Sequence, residues 1–316
     1  MKNFTQQSNV NKENQVINFI KGASIGAIIV MVFLLLFSLS SFGQRSVYNA
    51  CKAENVITRE VVDVVTGETK KVEVDADTHG NAAGNQYDLA VDGAFEGETV
   101  AVLHLYTGEG FDFHLPKAAL KEKGFSVYRW INNPPSAEEL KKSLDKACQL
   151  WIISSHTQKL NAQHLKVIKE FFDSGKGVYI WGDNQPYYAD ANYVAEHLFG
   201  TKMTGNLPGN EVVTLQQRSE KIGLMPNHLI STGLQNIYEG ITIATIDRHK
   251  DFTPLIYGHA GNLVTAVYEK DGKRAIIDGG FTRLYISWDN AGTGRYVKNA
   301  AAWLVNYERF GQAPIK

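Results

Sequence analysis

The fold is decided by a stretch that reads Gly177-Val178-Tyr179-Ile180-Trp181-Gly182-Asp183-Asn184-Gln185-Pro186-Tyr187-Tyr188-Ala189-Asp190-Ala191-Asn192. A short apolar strand, 178–181, runs directly into a polar turn that leads to a helix. In an open α/β sheet, ligands bind at the carboxyl ends of such strands. The turn offers carboxyl and amide groups but no cysteine, serine or threonine. We therefore expect a binding site here that lacks a side-chain nucleophile.

Strands and helices alternate on both sides of this stretch. Apolar strands are predicted at 99–105, 125–130 and 150–154, and helices at 116–123, 136–146, 161–172 and 192–199. Strands that are apolar on both faces and joined by helices indicate a parallel, doubly wound sheet. Further along, the pattern predicts a strand at 212–215, an antiparallel hairpin at 263–278 and a closing helix at 294–309. The predicted fold class is therefore α/β, with a doubly wound, mainly parallel sheet.

The amino terminus differs from the rest of the chain. Residues 1–20 are polar and typical of a disordered tail, and 22–44 is an uncharged, largely apolar run that follows Lys21. That run is long enough to span a bilayer, and its flanks are also typical of a cleaved signal peptide. Segment 21–44 is thus either a signal peptide or a transmembrane anchor. The basic residues before it mark the cytoplasmic side, so we expect the remaining chain to lie outside the cytoplasm.

Two further segments complete the predicted organisation. Residues 45–96 are predicted to form a β-hairpin and a linker, and residues 97–312 an α/β domain. Cys51 and Cys148 are the two cysteines of the chain. They could pair in an oxidising compartment or remain separate thiols.

Composition excludes some partners. The formal net charge is −1, with 33 acidic and 32 basic residues, so we expect no nucleic-acid partner. Gly292-Thr293-Gly294 lacks the lysine of a phosphate-binding loop, and we expect neither a cofactor nor a metal. The partner is predicted to be a small ligand or an envelope protein, with membrane contact through 22–44 if that segment is retained.

Candidate site residues follow three strands. His156 comes after the third strand and could face Asp183, which would make an acid–base pair; alternatively, it satisfies loop carbonyls. In the segment 278–296, Arg283 and Arg295 could clamp an anion or pair with neighbouring aspartates. The predicted ligand-binding residues are Asp183, Asn184, Gln185, Tyr187, Asp190, Asn192, His156, Thr282, Arg283, Asp289 and Arg295.

The order of elements also resembles a known superfamily. Three segments are similar to the corresponding parts of class I glutamine amidotransferase-like domains. They are Leu150 to His156, Asn161 to Gly177, and Ala275 to Thr282. The second leads into strand 178–181, and the turn after that strand is the elbow. The resemblance implies a flavodoxin-like fold. Active members carry a nucleophilic cysteine at the elbow, whereas alignment on Gly182 places Asn184 there. The resemblance therefore implies that glutaminase activity is absent.

Three hypotheses remain open. In the first, the chain is an exported or anchored, non-catalytic domain that binds a ligand or partner at the carboxyl edge of its sheet. In the second, it is a hydrolase or sugar-processing enzyme that uses His156 and Asp183. In the third, it is a cell-envelope scaffold.

Overall fold

The computed structural model describes residues 58–62, 66–216, 221–286, 288 and 291–305. Within these ranges the strands are β1 (Thr58–Val62), β2 (Thr69–Glu73), β3 (Thr99–His104), β4 (Ser126–Ile131), β5 (Gln149–Ile153), β6 (Gly177–Trp181), β7 (Met203–Pro208), β8 (Val212–Thr214), β9 (Gly223–Leu224), β10 (Asn236–Tyr238), β11 (Thr242–Ile246), β12 (Phe252–Tyr257), β13 (Leu263–Lys270) and β14 (Lys273–Asp278). The α-helices are α1 (His114–Glu122), α2 (Ala137–Leu144), α3 (Ala162–Asp173), α4 (Ala189–Phe199) and α5 (Thr293–Val305).

The central sheet of the described chain has eight strands in the order β4-β3-β5-β6-β14-β13-β12-β9. The first five are mutually parallel, and the last three extend the sheet in antiparallel fashion. Counted along the chain, the five parallel strands follow the order 2-1-3-4-5, which is that of flavodoxin-like sheets. The prediction of a doubly wound, mainly parallel sheet is confirmed.

Helices cover both faces of this sheet because successive strand residues point to opposite sides. On one face, Trp151 and Trp181 pack in a cluster with residues of α1 and α5. On the other face, Leu150 and Ile180 pack with residues of α2, α3 and α4. The central strands β5 and β6 are each buried along their full length. Their burial on both faces accounts for the apolar runs 150–153 and 178–181.

Local sequence signals set several helix ends. The Ser136 hydroxyl accepts a hydrogen bond from Glu139 N at 3.2 Å and caps α2. Asn161 caps α3 in the same way, with His164 completing a capping box. Helix α4 begins at Ala189, three residues before the predicted start. The reason is that the buried Ser154 hydroxyl, on the neighbouring strand exit, accepts from the first backbone N–H groups of α4.

The second half of the domain was predicted only in part. The hairpin of β13 and β14 is confirmed, with Thr265 paired to Asp278. Strands β7 and β12 were not predicted. Strand β7 pairs with β11 and β12 with β13, and both pairings carry register shifts. Such irregularities interrupt the two-residue periodicity on which strand prediction depends.

Near the amino terminus, β1 and β2 pair in antiparallel register, with Thr58 opposite Glu73. The predicted segments 1–20 and 22–44, and Cys51, lie outside the described residues. In the part of the chain that the structure describes, no helix has the length and apolarity to cross a bilayer.

Candidate functional site

The carboxyl edge of the parallel sheet collects the loops that follow β3, β5, β6 and β14. The loop between β12 and β13 lies at the same edge, because the start of β13 pairs with the end of β14. Flavodoxin-like sheets bind their ligands along this edge. The candidate site is therefore built from the turn after β6 and its neighbours.

The turn after β6 is the elbow, residues 182–188, and backbone bonds fix its position. Gly182 N donates to the carbonyl of Asp278 at 2.9 Å, and Phe281 N donates to the carbonyl of Gly182 at 3.2 Å. A side chain at position 182 would bring its Cβ within 2.5 Å of Met203 Sδ. The absence of a side chain at Gly182 therefore lets Met203 of β7 pack directly against the elbow.

Asp183 is the central polar group of the elbow. Its side chain is buried, and Oδ1 accepts a hydrogen bond from Asn184 N at 2.9 Å. Burial raises the pKa of Asp183 well above its ordinary value, and the nearby Asp278 and Glu109 carboxylates add to the increase while Arg283 opposes it. The shift favours the protonated form more than in an exposed aspartate, and a protonated carboxyl group can donate as well as accept hydrogen bonds.

The next two elbow residues have different environments. The Asn184 amide bridges elements: Oδ1 accepts from the Thr242 hydroxyl at 2.8 Å, and Nδ2 donates to the carbonyl of Gln185 at 3.1 Å. Gln185 N donates to the carbonyl of Gly205, while its side chain is exposed. Asn184 thus anchors the elbow to β11, and the Gln185 side chain remains accessible.

Aromatic rings form a rim beside Asp183. The Tyr106 ring, after β3, is perpendicular to Tyr187 of the elbow with centroids 5.6 Å apart, and lies 5.3 Å from Phe281 after β14. Phe281 in turn contacts Tyr285 at 5.4 Å. Tyr106, Tyr187 and Tyr285 are half-buried, whereas Phe281 is buried. We call these three tyrosines the tyrosine rim.

The hydroxyls of the rim are also linked to the loop after β3. Tyr285 donates to the exposed Glu109 carboxylate at 3.4 Å, and the hydroxyls of Tyr106 and Tyr285 interact with one another. Burial raises the pKa of both tyrosines. Both phenols therefore remain protonated at physiological pH and can serve as hydrogen-bond donors.

His156 is exposed at the far end of the rim. Its ring lies 6.1 Å from that of Tyr187, and Nδ1 is 3.3 Å from the Ser155 hydroxyl. Tyr187 thus lies next to both His156 and Tyr106. Among the described residues, no hydrogen bond or ion pair joins His156 to Asp183, so the predicted acid–base pair is not formed in this structure.

Two predicted residues of α4 have their polar atoms directed into the protein. Asp190 Oδ1 accepts from the backbone N–H groups of Lys159 and Leu160, each at 2.8 Å. The Asn192 amide makes two bonds to the backbone of Met203, donating at 2.8 Å and accepting at 2.7 Å. These contacts hold the β5–α3 loop and β7 around the elbow.

The segment after β14 contributes mainly internal contacts. The Thr282 hydroxyl accepts from Ile241 N at 2.8 Å. The Arg283 guanidinium, fully buried, donates to Asp278 Oδ2 at 2.9 Å and to the carbonyl of Glu239 at 2.8 Å. Of the alternatives left open for Arg283, pairing with a neighbouring aspartate is the one observed.

The second arginine lies in a different part of the domain. Arg295 donates from Nε to Asp88 at 2.7 Å, and its remaining nitrogens donate to the carbonyls of Gly233 and Gly84. The two guanidinium groups therefore do not converge on a common anion site. The remaining residue of the set, Asp289, lies outside the described residues.

One pair of ionisable residues at this edge was not predicted from the sequence. Glu239, after β10, is fully buried, and its Oε1 lies 2.5 Å from His259 Nδ1 on the loop between β12 and β13. The backbone N–H of His259 donates to Oε2 of the same carboxylate at 2.8 Å. The two residues are 20 positions apart in an irregular region, and no local pattern in the sequence predicts their contact.

The single cysteine of the described residues is remote from the site. Cys148 precedes β5, at the amino edge of the sheet, and its thiol donates to the carbonyl of Thr99 at 3.3 Å. Burial raises the pKa of the Cys148 thiol to about 12, so it is not a thiolate at neutral pH. Cys51, with which it could pair, is outside the described residues.

Comparison with known proteins finds similarity in solved structures alone. No family model matches the chain, and no curated protein matches it. Similar structures include a proposed GMP synthase component from Thermoplasma acidophilum, with a TM-score of 0.48 and 13% identity over 70% of this chain and 100% of that chain. They also include a proposed ThuA-like protein from Parabacteroides merdae, with a TM-score of 0.44 and 10% identity over 67% and 90% of the two chains. A third is the glutaminase domain of Trypanosoma brucei CTPS, with a TM-score of 0.34 and 10% identity over 65% and 93%.

These values do not assign the chain to a family. The class of fold follows instead from the strand order of the chain itself, which is that of a flavodoxin-like α/β sheet. One fold of this kind supports many activities, so the function of the chain depends on the residues of its site.

Proposed function

We propose that the chain is a binding domain whose elbow and tyrosine rim, which take no catalytic part themselves, hold a neutral, hydroxyl-bearing ligand such as a carbohydrate. The observation that carries the proposal is the arrangement of Tyr106, Tyr187 and Tyr285 around the buried Asp183. Aromatic faces supply apolar contact area, and their hydroxyls orient a polar ligand. A protonated carboxyl group adds one donor and one acceptor.

The charges near the site favour a neutral ligand over an anion. Arg283 is occupied by Asp278 and by a backbone carbonyl. Lys159, beside the exit of β5, donates to the carbonyls of Leu105 and Asn132 and to the Asn132 side chain. The Glu109 carboxylate, which accepts a hydrogen bond from Tyr285 of the rim, would repel an anion.

The elbow supports binding rather than acyl transfer. Residues 182–188 include no cysteine, serine or threonine. At the position where the amidotransferase-like resemblance expects a nucleophilic cysteine, Asn184 donates and accepts hydrogen bonds that anchor the turn. An amide cannot form the covalent intermediate that such chemistry requires.

Isothermal titration calorimetry with a panel of neutral mono- and oligosaccharides tests the proposal. Tyr187→Ala and Asp183→Ala are each expected to weaken binding of any sugar identified by about tenfold or more, which corresponds to about 1.4 kcal/mol. Tyr128→Ala is the matched control, because Tyr128 is 48% exposed on the edge strand β4. Equal affinity in all four proteins would refute the site, and binding restricted to anionic ligands would refute the ligand class.

We further propose that this binding takes place outside the cytoplasm, on the basis of the apolar run 22–44 and its basic flank. The chain would be an extracytoplasmic domain, anchored by one amino-terminal helix if the segment is retained. Amino-terminal sequencing of the mature protein distinguishes the two forms. A mature chain that starts near residue 45 indicates a cleaved signal, whereas an intact amino terminus in the membrane fraction indicates an anchor.

A further inference from the structure

His259 and Glu239 form the one His–carboxylate pair at the carboxyl edge, within the described residues, in which the carboxylate is fully buried. Glu239 accepts from both the ring and the backbone N–H of His259. These two contacts fix the ring relative to the carboxylate. Position 258 must be glycine for this, because a Cβ there would lie 2.6 Å from Glu239 Oε2.

The geometry determines which ring nitrogen is available. Nδ1 faces the Glu239 carboxylate at 2.5 Å, so it carries the proton and donates it. Nε2 is then the basic nitrogen. The side chain of His259 is 39% exposed while that of Glu239 is 0% exposed, so solvent reaches the imidazole but not the carboxylate.

The pair lies at the same edge of the sheet as the proposed ligand site. The carbonyl of Glu239 accepts from Arg283, which follows the strand that is hydrogen-bonded to β6. Two strand spacings separate the elbow after β6 from the start of β13, or roughly 10 Å.

We propose that His259 is a general base that activates water for the hydrolysis of an acyl ester, and that Glu239 is its positioning residue. In the first step, Nε2 removes a proton from water while the water oxygen bonds to the ester carbonyl carbon. In the second step, the tetrahedral intermediate expels the alkoxide, which takes the proton from Nε2. The products are a carboxylic acid and an alcohol, and no oxidant, metal or covalent intermediate is needed.

The chemistry of the pair favours acyl esters over glycosides as substrates. A histidine whose ring is oriented by a buried carboxylate can take a proton from water and return it to a leaving group, as acyl-group hydrolysis requires. Glycoside hydrolysis instead uses two carboxyl groups on opposite sides of the scissile bond. The pair contains one carboxylate, that of Glu239, and its side chain is 0% exposed, so the imidazole is the group that meets a substrate.

Ester hydrolysis at His259 does not depend on carbohydrate binding at the tyrosine rim, and either can be absent without the other. Its test is the hydrolysis of p-nitrophenyl acetate by the full chain, followed by the release of p-nitrophenolate. His259→Ala is expected to lower kcat on the order of 100-fold, within the range of general base catalysis. His197→Ala, an exposed histidine on α4, is the matched control and should retain the wild-type rate.

Two further measurements separate a catalytic role from a structural one. Added imidazole should restore part of the rate in His259→Ala, because it can occupy the vacated space and accept the proton. Glu239→Gln should lower kcat while leaving KM for the ester unchanged, since the carboxylate orients the base and does not contact the substrate. The proposal is overturned if His259→Ala hydrolyses the ester at the wild-type rate, or if imidazole accelerates it no more than it accelerates His197→Ala.

Discussion

Two buried aspartates on neighbouring strands of this sheet have opposite environments. Asp278 ends β14 opposite Trp181 of β6, and Asp183 lies two residues beyond Trp181. Asp278 accepts from Arg283, Tyr296, Tyr179 and the backbone of Gly280. Asp183 accepts one hydrogen bond within the described residues, from the adjacent backbone. A carboxylate saturated with donors supports the structure, whereas one with spare bonding capacity is available to a ligand.

The largest expected effect is the loss of folding stability when Asp278 is replaced. Asp278→Asn leaves the fully buried Arg283 guanidinium without a charged partner, and breaking such a pair costs about 3–5 kcal/mol. The free energy of unfolding, measured by urea denaturation, should fall by that amount. Asp173→Asn is the control, because Asp173 is 42% exposed and pairs with Lys273 at the surface. That change should cost less than about 1 kcal/mol, and equal losses in the two variants would contradict the assignment of Asp278 as structural.

This contrast also shows what the sequence could predict. The parallel strands and their crossover helices were predictable, because runs such as 178–181 are buried on both faces and carry no polar residue. The place of the site was predictable for the same reason, since a strand of this type ends at the ligand-binding edge. These features depend on residues that are close together in the chain.

The partners of individual charged residues were not predictable. Asp88, which accepts from the guanidinium of Arg295, is 207 residues away in the sequence. Glu239 follows β10 and contacts His259, which lies on the loop between β12 and β13. Local composition identified Arg283 and Arg295 as polar residues near the site. Which way each guanidinium points depends on long-range packing, which a single sequence does not encode in a local pattern.

A smaller difference in folding stability is expected between Tyr296, which donates to Asp278, and Tyr285 of the rim beside Asp183. Tyr296 is fully buried and donates to Asp278 Oδ2 at 2.8 Å, and loss of a buried hydrogen bond to a charged group costs about 2 kcal/mol. Tyr296→Phe should therefore lower the free energy of unfolding by about that amount. Tyr285→Phe removes a hydroxyl from the half-buried rim, where water can replace it, and should change stability by less than about 0.5 kcal/mol. A larger loss in Tyr285→Phe would indicate that the rim is part of the folded core.

The effect that is smallest for each pH unit is the pH dependence of stability at Asp183. Burial raises the pKa of Asp183 in the folded state above 3.8, its ordinary value, so the folded protein holds this proton more tightly than the unfolded chain. The resulting stabilisation is complete below pH 3.8 and is lost as the pH rises through the folded-state pKa, at about 1.4 kcal/mol per pH unit. Asp183→Asn cannot titrate and keeps the acceptor for Asn184 N, so its free energy of unfolding should lack this decline.

The measurement is the difference in the free energy of unfolding between wild type and Asp183→Asn, taken from about pH 4 upward. Burial also raises the pKa of Asp190, but Asp190 is present in both proteins and its contribution cancels in the difference. A difference that does not change with pH would mean that Asp183 is charged in the folded protein and as well compensated as Asp278. A difference that grows with pH would mean that the fold retains a buried acid at a cost in stability, which is the behaviour expected of a group kept for binding rather than for structure.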